Sequence, residues 1–326
     1  MVTSKLASHD RRMILRTAFH HCIQGLGYEH QVEQLFFLGD EAEAPEEVQS
    51  SLVIENRTYG DLVFVGGPDS DPWVPRDATY VLERPTSRGY RLAYGTAWLA
   101  KNRQELDYVM YLDDDSYLHI PKLLNMLEIH KSPSLAMGFL METVLDSTRT
   151  CICDMCKSCE HCLKDDQLRS FCAQFPEMSL GGCLTCIQQC DLFNDGEDLT
   201  LCVQQKQLEI VKVAQYFGTQ SAPRWFLGMG WVFGRRIVNF LANNADHLKK
   251  RGAADVQLGF WLAPLEDVHW VDMKDGFFHD YPMPGSTFSR GCTEKTILVH
   301  RMNEDRWKYF DTGTCELHCP LTAAPE

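Results

Sequence analysis

The chain has 326 residues, 44% of them hydrophobic and 11% aromatic. That is enough for a large packed core and too apolar for wholesale disorder. A net charge of −14 argues against nucleic acid as the main partner, since phosphate backbones are held by an excess of Lys and Arg. No stretch reaches the roughly 18 consecutive apolar residues of a membrane span, and the opening Met1-Val-Thr-Ser-Lys-Leu lacks the apolar region of a signal peptide. Read alone, this leaves a cytosolic protein or a chain without its native amino-terminal anchor.

Residues 33–38 (Glu-Gln-Leu-Phe-Phe-Leu) predict a strand ended by Gly39. Helical spacing from Pro45 to Thr58 places Val48, Leu52 and Glu55 along one face, and Tyr59-Gly60-Asp61 turns the chain. Leu62–Val65 predicts a short strand closed by Gly66-Gly67-Pro68. Residues 68–87, rich in proline and turn formers, read as an irregular loop, and Arg88–Lys101 as a helix. From Asp107 an apolar, aromatic run predicts a buried strand that stops at Asp113-Asp114-Asp115. Pro121–His130 predicts a helix with proline in its first turn, and Leu135–Leu140 another apolar run. Pattern resumes with Pro223–Phe233, then a helix from about Arg235 to Asn243, a buried helix over 255–263 opened by Asp255, and a late strand at Thr296–Val299. Strands alternating with helices predict an α/β fold with a mostly parallel, Rossmann-like central sheet flanked by helices.

Ten of the 14 cysteines fall between Cys151 and Cys202; the others are Cys22, Cys292, Cys315 and Cys319. The segment 151–202 breaks the alternation and reads as an insertion between a first half, 1–150, and a second, 203–326. Its repeated Cys-x-x-Cys spacing suits zinc; the even total suits complete pairing in an oxidising compartment. Both readings stay open. One glycosylation sequon, Asn56-Arg57-Thr58, is present.

The acidic triplet carries the chemistry. Three adjacent carboxylates repel one another unless a cation or many donors sit among them. At the carboxyl end of a strand in an open α/β sheet they lie where ligands bind. A hard divalent cation, Mn²⁺ or Mg²⁺, would take one or two of these oxygens and leave positions for phosphate oxygens. That is the metal–diphosphate arrangement of sugar-nucleotide enzymes.

Several blocks together resemble the β-1,3-glycosyltransferase family, which includes the Fringe and core-1 galactosyltransferase branches. Arg11-Arg12-Met-Ile-Leu-Arg16-Thr-Ala-Phe resembles the family's opening Arg-Arg-x-x-Ile-Arg-x-Thr-Trp; Phe36-Phe37-Leu38-Gly39 resembles its first strand; Glu55-Asn-Arg-Thr-Tyr59-Gly60-Asp61 resembles Glu-x-x-x-Tyr-Gly-Asp. The triplet with Ser116-Tyr117-Leu118, the segment Trp225–Phe233, Asp255-Val256-x-Leu258-Gly259 and Leu298-Val299-His300 follow in the family's order. The resemblance covers nearly the whole chain outside 151–202.

It implies a GT-A fold, a UDP-sugar donor, Mn²⁺ and inversion at the anomeric carbon: a hexosyltransferase moving galactose or N-acetylglucosamine onto a glycan hydroxyl, β-1,3-linked, in the Golgi lumen. On this reading Asp115 is the first metal ligand, Asp113 and Asp114 serve the nucleotide-sugar, and Asp255 is the base that deprotonates the acceptor. The alternative for Asp255 is a plain helix N-cap. Arg12 and Arg16, one helical turn apart, could meet the uridine diphosphate or an acidic core residue. Gly228 and Gly230 would admit the donor sugar close to backbone, and Trp225 or Trp231 could stack on a sugar or simply pack. His300 matches the late histidine of the N-acetylglucosaminyl and galactosyl branch, His279 that of the Fringe and core-1 branch; His300 is the expected metal ligand. One departure stands out: the family usually has an acid just before this Asp, and here Ala253-Ala254 precede it. Two other readings follow, an inactive glycan-binding relative and a zinc-dependent interaction module built on 151–202.

Overall fold

The structure, a computed structural model, describes residues 1–71, 86–141, 223–283 and 288–319. Nearly all belong to one compact unit assembled from Met1–Trp73, Arg84–Leu140 and Trp225–Glu326. A second unit, Val74–Glu83 with Met141–Arg224, falls almost wholly outside the described residues. So do the cysteine-rich segment 151–202, the expected boundaries around it, and most of the proline-rich loop.

Among the described residues seven strands form the main sheet, in the spatial order third, second, first, fourth, seventh, sixth, eighth. In chain order these are β1 (Val2–Thr3), β2 (Phe36–Leu38), β3 (Leu62–Phe64) and β4 (Tyr108–Asp113), then, after β5 (Ser116–Leu118), β6 (Leu135–Met141), β7 (Trp225–Gly234) and β8 (His269–Asp272). Pairs β1–β2, β2–β3, β1–β4 and β6–β8 are parallel, and β7 runs antiparallel to β4. The expected mostly parallel sheet flanked by helices is therefore what the chain forms. β1 was not legible: two residues cannot establish a period of two, yet they pair with both β2 and β4. A second sheet places β10 (Leu298–His300) between β5 and β9 (Phe278–Asp280). A small hairpin, β11 (Phe310–Asp311) and β12 (Glu316–Leu317), follows.

The helices are α1 (His9–Gly25), α2 (Glu46–Tyr59), α3 (Ser87–Asn102), α4 (Ile120–Ile129), α5 (Arg235–Asn243), α6 (Ala254–Leu262) and the short α7 (Glu304–Trp307). Their ends follow local chemistry. Thr86 caps α3 by accepting from the Gly89 N–H, and the His119 ring caps α4 by accepting from the Lys122 N–H. Gly60 ends α2 in the left-handed conformation, at φ 66°, which a residue with a Cβ enters at a cost. Leu92, Val238, Leu241 and Leu258 from the helices join one apolar cluster with Tyr111, Phe226, Trp231 and Phe233 of the sheet. α3 packs on α5, and α6 on β7, so the helix that carries Asp255 is fixed against the strand that carries Gly228 and Gly230.

All four cysteines outside 151–202 are paired. Cys22 in α1 bonds Cys315, 293 residues away, and Cys292 bonds Cys319. Closing so long a loop stabilises the fold by roughly 2–5 kcal/mol through the unfolded chain. Among the described residues no helix is long and apolar enough to cross a membrane.

Candidate active site

The carboxyl end of β4 delivers the acidic triplet, and β5 leaves it at once. β10 pairs antiparallel with β5 so that His300 stands opposite Ser116, and parallel with β9 so that His300 also stands opposite Asp280. Register alone thus brings a histidine 185 residues downstream beside Asp115. His300 Nε2 lies 3.5 Å from Asp115 Oδ1 and 3.9 Å from Asp113 Oδ2. One ligand atom from each of Asp113, Asp115 and His300 lies within 4.8 Å of the others.

His300 is aimed by a residue that the sequence did not single out. Its Nδ1 meets Asp280 Oδ1 at 2.8 Å, a carboxylate–imidazole pair that leaves Nε2 facing the acids. Arg301 holds the other oxygen of Asp280 at 2.9 Å. Arg301 has φ 65°, a conformation that costs a non-glycine residue free energy and persists only where surrounding contacts fix it. Burial disfavours the imidazolium, but the Asp280 hydrogen bond and the charges of Asp115 and Asp113 prevail and raise the His300 pKa. His279 is different. It is fully buried, with Nδ1 against the Asp280 carbonyl at 2.9 Å and Nε2 against Thr296 Oγ1 at 3.1 Å. Both ring nitrogens are engaged, so of the two histidines only His300 is presented to the acids.

The three aspartates have separate surroundings. Asp113 accepts from Thr3 Oγ1 at 2.8 Å and pairs with Arg88. Asp114 has both oxygens occupied, by Ser4 Oγ at 2.7 Å and Arg11 Nη1 at 3.1 Å, and ties β4 to the chain around β1 and α1. Asp115 Oδ1 is buried and has no hydrogen-bond partner. Burial, then the charges of Asp113 and Asp114 against the opposing His300, raises its pKa. A buried carboxylate oxygen without a hydrogen bond is costly. Oxygen and imidazole nitrogen donors converging on it suit a divalent cation such as Mn²⁺ or Mg²⁺, so the residues present fit a metal.

Asp255 lies in the first turn of α6, not at its cap. The N-cap is Ala253, without a side-chain hydrogen bond, and Asp255 Oδ1 accepts the Val256 N–H at 2.9 Å. Burial raises its pKa, against the Val256 hydrogen bond and the charge of Arg88. Ala254 is only 5% exposed, so the position where the family usually has a second acid faces the core. Arg88 stands near both Asp255 and the triplet. A Cβ placed on Gly228 would stand 3.2 Å from Asp255 Oδ2 and 3.4 Å from Arg88 Nη1, while Arg88 Nη2 pairs with Asp113. Arg88 escaped the sequence reading, although a cation in a helix's first turn opposes the dipole and was a usable signal.

Gly228 and Gly230 line a small cavity of about 20 Å³ together with Thr3, Arg88, Asp113 and Trp231. Gly230 has φ 151°, and a Cβ there would meet Leu298 Cδ1 at 2.7 Å and the Tyr111 carbonyl at 3.0 Å. Trp231 is buried and stacks on Tyr111, centroids 6.1 Å apart, a packing role. Trp225 lies partly buried at the start of β7.

Arg12 and Arg16 point elsewhere. Arg12 is fully buried; its guanidinium donates to both oxygens of Glu55 at 2.7–2.8 Å, to the Lys5 carbonyl at 2.6 Å, to the Leu6 carbonyl at 3.2 Å and to Ser4 Oγ at 3.3 Å. Those contacts use all five of its donors. Arg16 chelates Asp61 at 2.8 Å on both oxygens and reaches Glu55 at 2.7 Å. Of the two destinations open to them in sequence, an anionic ligand or an acidic core residue, the structure gives both the acidic residue.

No family model matches the chain. Over 93 residues it is 28% identical to the Danio rerio UDP-GalNAc:beta-1,3-N-acetylgalactosaminyltransferase 2, an alignment covering 27% of this chain and 18% of that protein. The chain thus matches less than a fifth of that relative's length. Among solved structures it is similar to the galactosyltransferase LgtC in complex with donor and acceptor sugar analogues (TM-score 0.36, 10% identity, 100% of this chain and 96% of that one). It is also similar to the apo form of mouse xyloside xylosyltransferase 1 (TM-score 0.34, 11% identity, 92% and 95%). The sequence resemblance to β-1,3-glycosyltransferases is thereby met by a curated relative of that kind.

Proposed function

We propose that this chain is a glycosyltransferase of GT-A type that moves a hexose from a UDP-sugar to a glycan hydroxyl with inversion, dependent on Mn²⁺ or Mg²⁺. The observation that carries the reading is the convergence of Asp113, Asp115 and His300 at a buried carboxylate oxygen that has no hydrogen bond, with Arg88 between Asp113 and the space beside the half-buried Asp255. Asp115, His300 and Asp113 would hold the cation, with Asp280 orienting His300. When bound, the cation would neutralise the departing diphosphate.

The remaining work falls to the chain's own groups. Asp255, its pKa raised by burial, takes the proton from the acceptor hydroxyl as the hydroxyl oxygen attacks the anomeric carbon. The buried Ala254 leaves Asp255 as the acid of that turn, and the missing acidic neighbour is what motivates the second reading, an inactive glycan-binding relative. Gly228 keeps the wall beside Asp255 free of a side chain. Arg88 adds a positive charge to the site, which favours the approach of anionic phosphates. A β-1,3 linkage, and galactose, N-acetylglucosamine or N-acetylgalactosamine as the sugar, follow from the family resemblance and from the relative's name. Disulfides suit an oxidising compartment, consistent with residence in the Golgi lumen. The halves 1–150 and 203–326 would then bear the nucleotide-sugar and acceptor sides.

The test is product formation from a panel of UDP-sugars and glycan acceptors, with and without Mn²⁺. Wild type should transfer one sugar only with the cation. Asp255→Asn should retain Mn²⁺–UDP binding and lose turnover by roughly 10²–10⁴-fold. Mn²⁺–UDP binding without transfer to any acceptor would favour the inactive relative.

A further inference from the structure

Arg88 occupies a position that helix electrostatics disfavours: the first turn of α3, which contains no acidic residue to offset it. Negative charge on two sides accounts for it. Its Nη2 pairs with Asp113 Oδ2, and its Nη1 shares the space beside Gly228 with Asp255 Oδ2. Thr3 Oγ1 takes the other oxygen of Asp113 at 2.8 Å. Both oxygens of that carboxylate are therefore engaged, whereas Asp115 Oδ1 has no hydrogen-bond partner. A divalent cation at Asp113, Asp115 and His300 would lie against the guanidinium, and two positive charges in contact repel strongly. The Arg88 side chain is 44% exposed, and Asp255 offers it a second carboxylate.

We propose that Arg88 is a built-in competitor for the divalent cation: its guanidinium holds Asp113 in the cation-free protein and must leave that carboxylate, toward Asp255, when the cation binds. Arg88 is thus a positioning residue that couples the metal side of the site to the candidate base. The inference rests on the metal reading above.

Mn²⁺ alone, titrated into the full chain and followed by electron paramagnetic resonance of the free ion, tests it. Arg88→Gln should bind Mn²⁺ roughly tenfold more tightly than wild type, and adding Asp115→Ala should abolish that binding. Arg88→Lys, which keeps the charge but not the two-armed fork, should fall between. Arg11→Gln is the control for general charge: Arg11 pairs with Asp114 of the same triplet at 3.1 Å, and its loss should change the affinity by less than about twofold. Binding by Arg88→Gln that equals or falls below wild type, with melting temperature retained, overturns the competition. So does an equal gain in Arg11→Gln. If Arg88→Gln fails to fold, Arg88→Lys decides by the same comparison. If neither wild type nor Arg88→Gln binds Mn²⁺, the metal reading falls and this inference with it. If wild type binds and Arg88→Gln is unchanged, only this inference falls.

Discussion

Two ionic clusters meet at Ser4, which accepts from Arg12 and donates to Asp114, and they are built in opposite ways. Around α1 and α2, Arg12, Arg16, Glu55 and Asp61 close on themselves: each guanidinium finds carboxylates, and Arg12 has no donor left over. At the end of β4, Asp114 is likewise closed, but Asp115 keeps a buried oxygen with no hydrogen bond, and His300 Nε2 stands 3.5 and 3.9 Å from two acids. Saturation, not charge or burial, separates the structural cluster from the one with room for a ligand. A closed network specifies how helices dock; an open one stores unmet binding capacity.

The largest effect should come from the open cluster. Asp115→Ala should lower sugar transfer by about 10³-fold while the melting temperature of the metal-free protein holds or rises, because an unsatisfied buried carboxylate is removed. A fall in melting temperature would place Asp115 with the structural cluster. Arg12→Met should do the reverse. Leaving Glu55 short of its main partner should cost on the order of 3 kcal/mol of stability, measured by denaturant unfolding, with turnover per folded molecule nearly unchanged.

Acid should sharpen the same contrast. Burial works against the Glu55 carboxylate, yet hydrogen bonds from Arg12, His9 and Arg16 lower its pKa from 4.5 to about 2. A depressed pKa contributes stability that is full above the unfolded value and lost as pH falls through the folded one. The wild type should therefore lose stability between pH 4.5 and about 2, by on the order of 3 kcal/mol from this group. Glu55→Gln should start lower and show a flatter decline in that window. The smallest pair is Gly228→Ala and Gly230→Ala. At Gly230 the positive φ and the Leu298 contact should cost about 1–3 kcal/mol of stability. At Gly228 the nearest atoms to the new methyl belong to Asp255 and Arg88, so transfer should suffer more than melting temperature.

The sequence made the sheet and much of the site legible for identifiable reasons. β4, β7, α3 and α5 are long enough for periodicity to show. An apolar run that stops at three carboxylates marks both the end of a buried strand and a place where charge must be met. What was illegible depends on pairing across the chain. β1 is two residues long. Asp280 matters only because the register of β9 and β10 sets it beside His300, and the local motif drew attention to His279 instead. Arg88 follows a proline-rich loop and acts through Asp113 and Asp255, 25 and 167 positions away. Arg12 and Arg16 carried the family's opening motif, but a motif does not say whether an arginine serves a ligand or the core; the buried Glu55 on α2 decides that.

The central claim is that Asp113, Asp115 and His300 hold one divalent cation. Crystals grown with Mn²⁺ and UDP, measured for anomalous scattering at the manganese edge, test it most directly. A single peak is expected within coordination distance of Asp115 Oδ1 and His300 Nε2, absent in crystals of Asp115→Ala. A peak elsewhere, or a UDP-loaded site with no peak between these residues, would contradict it.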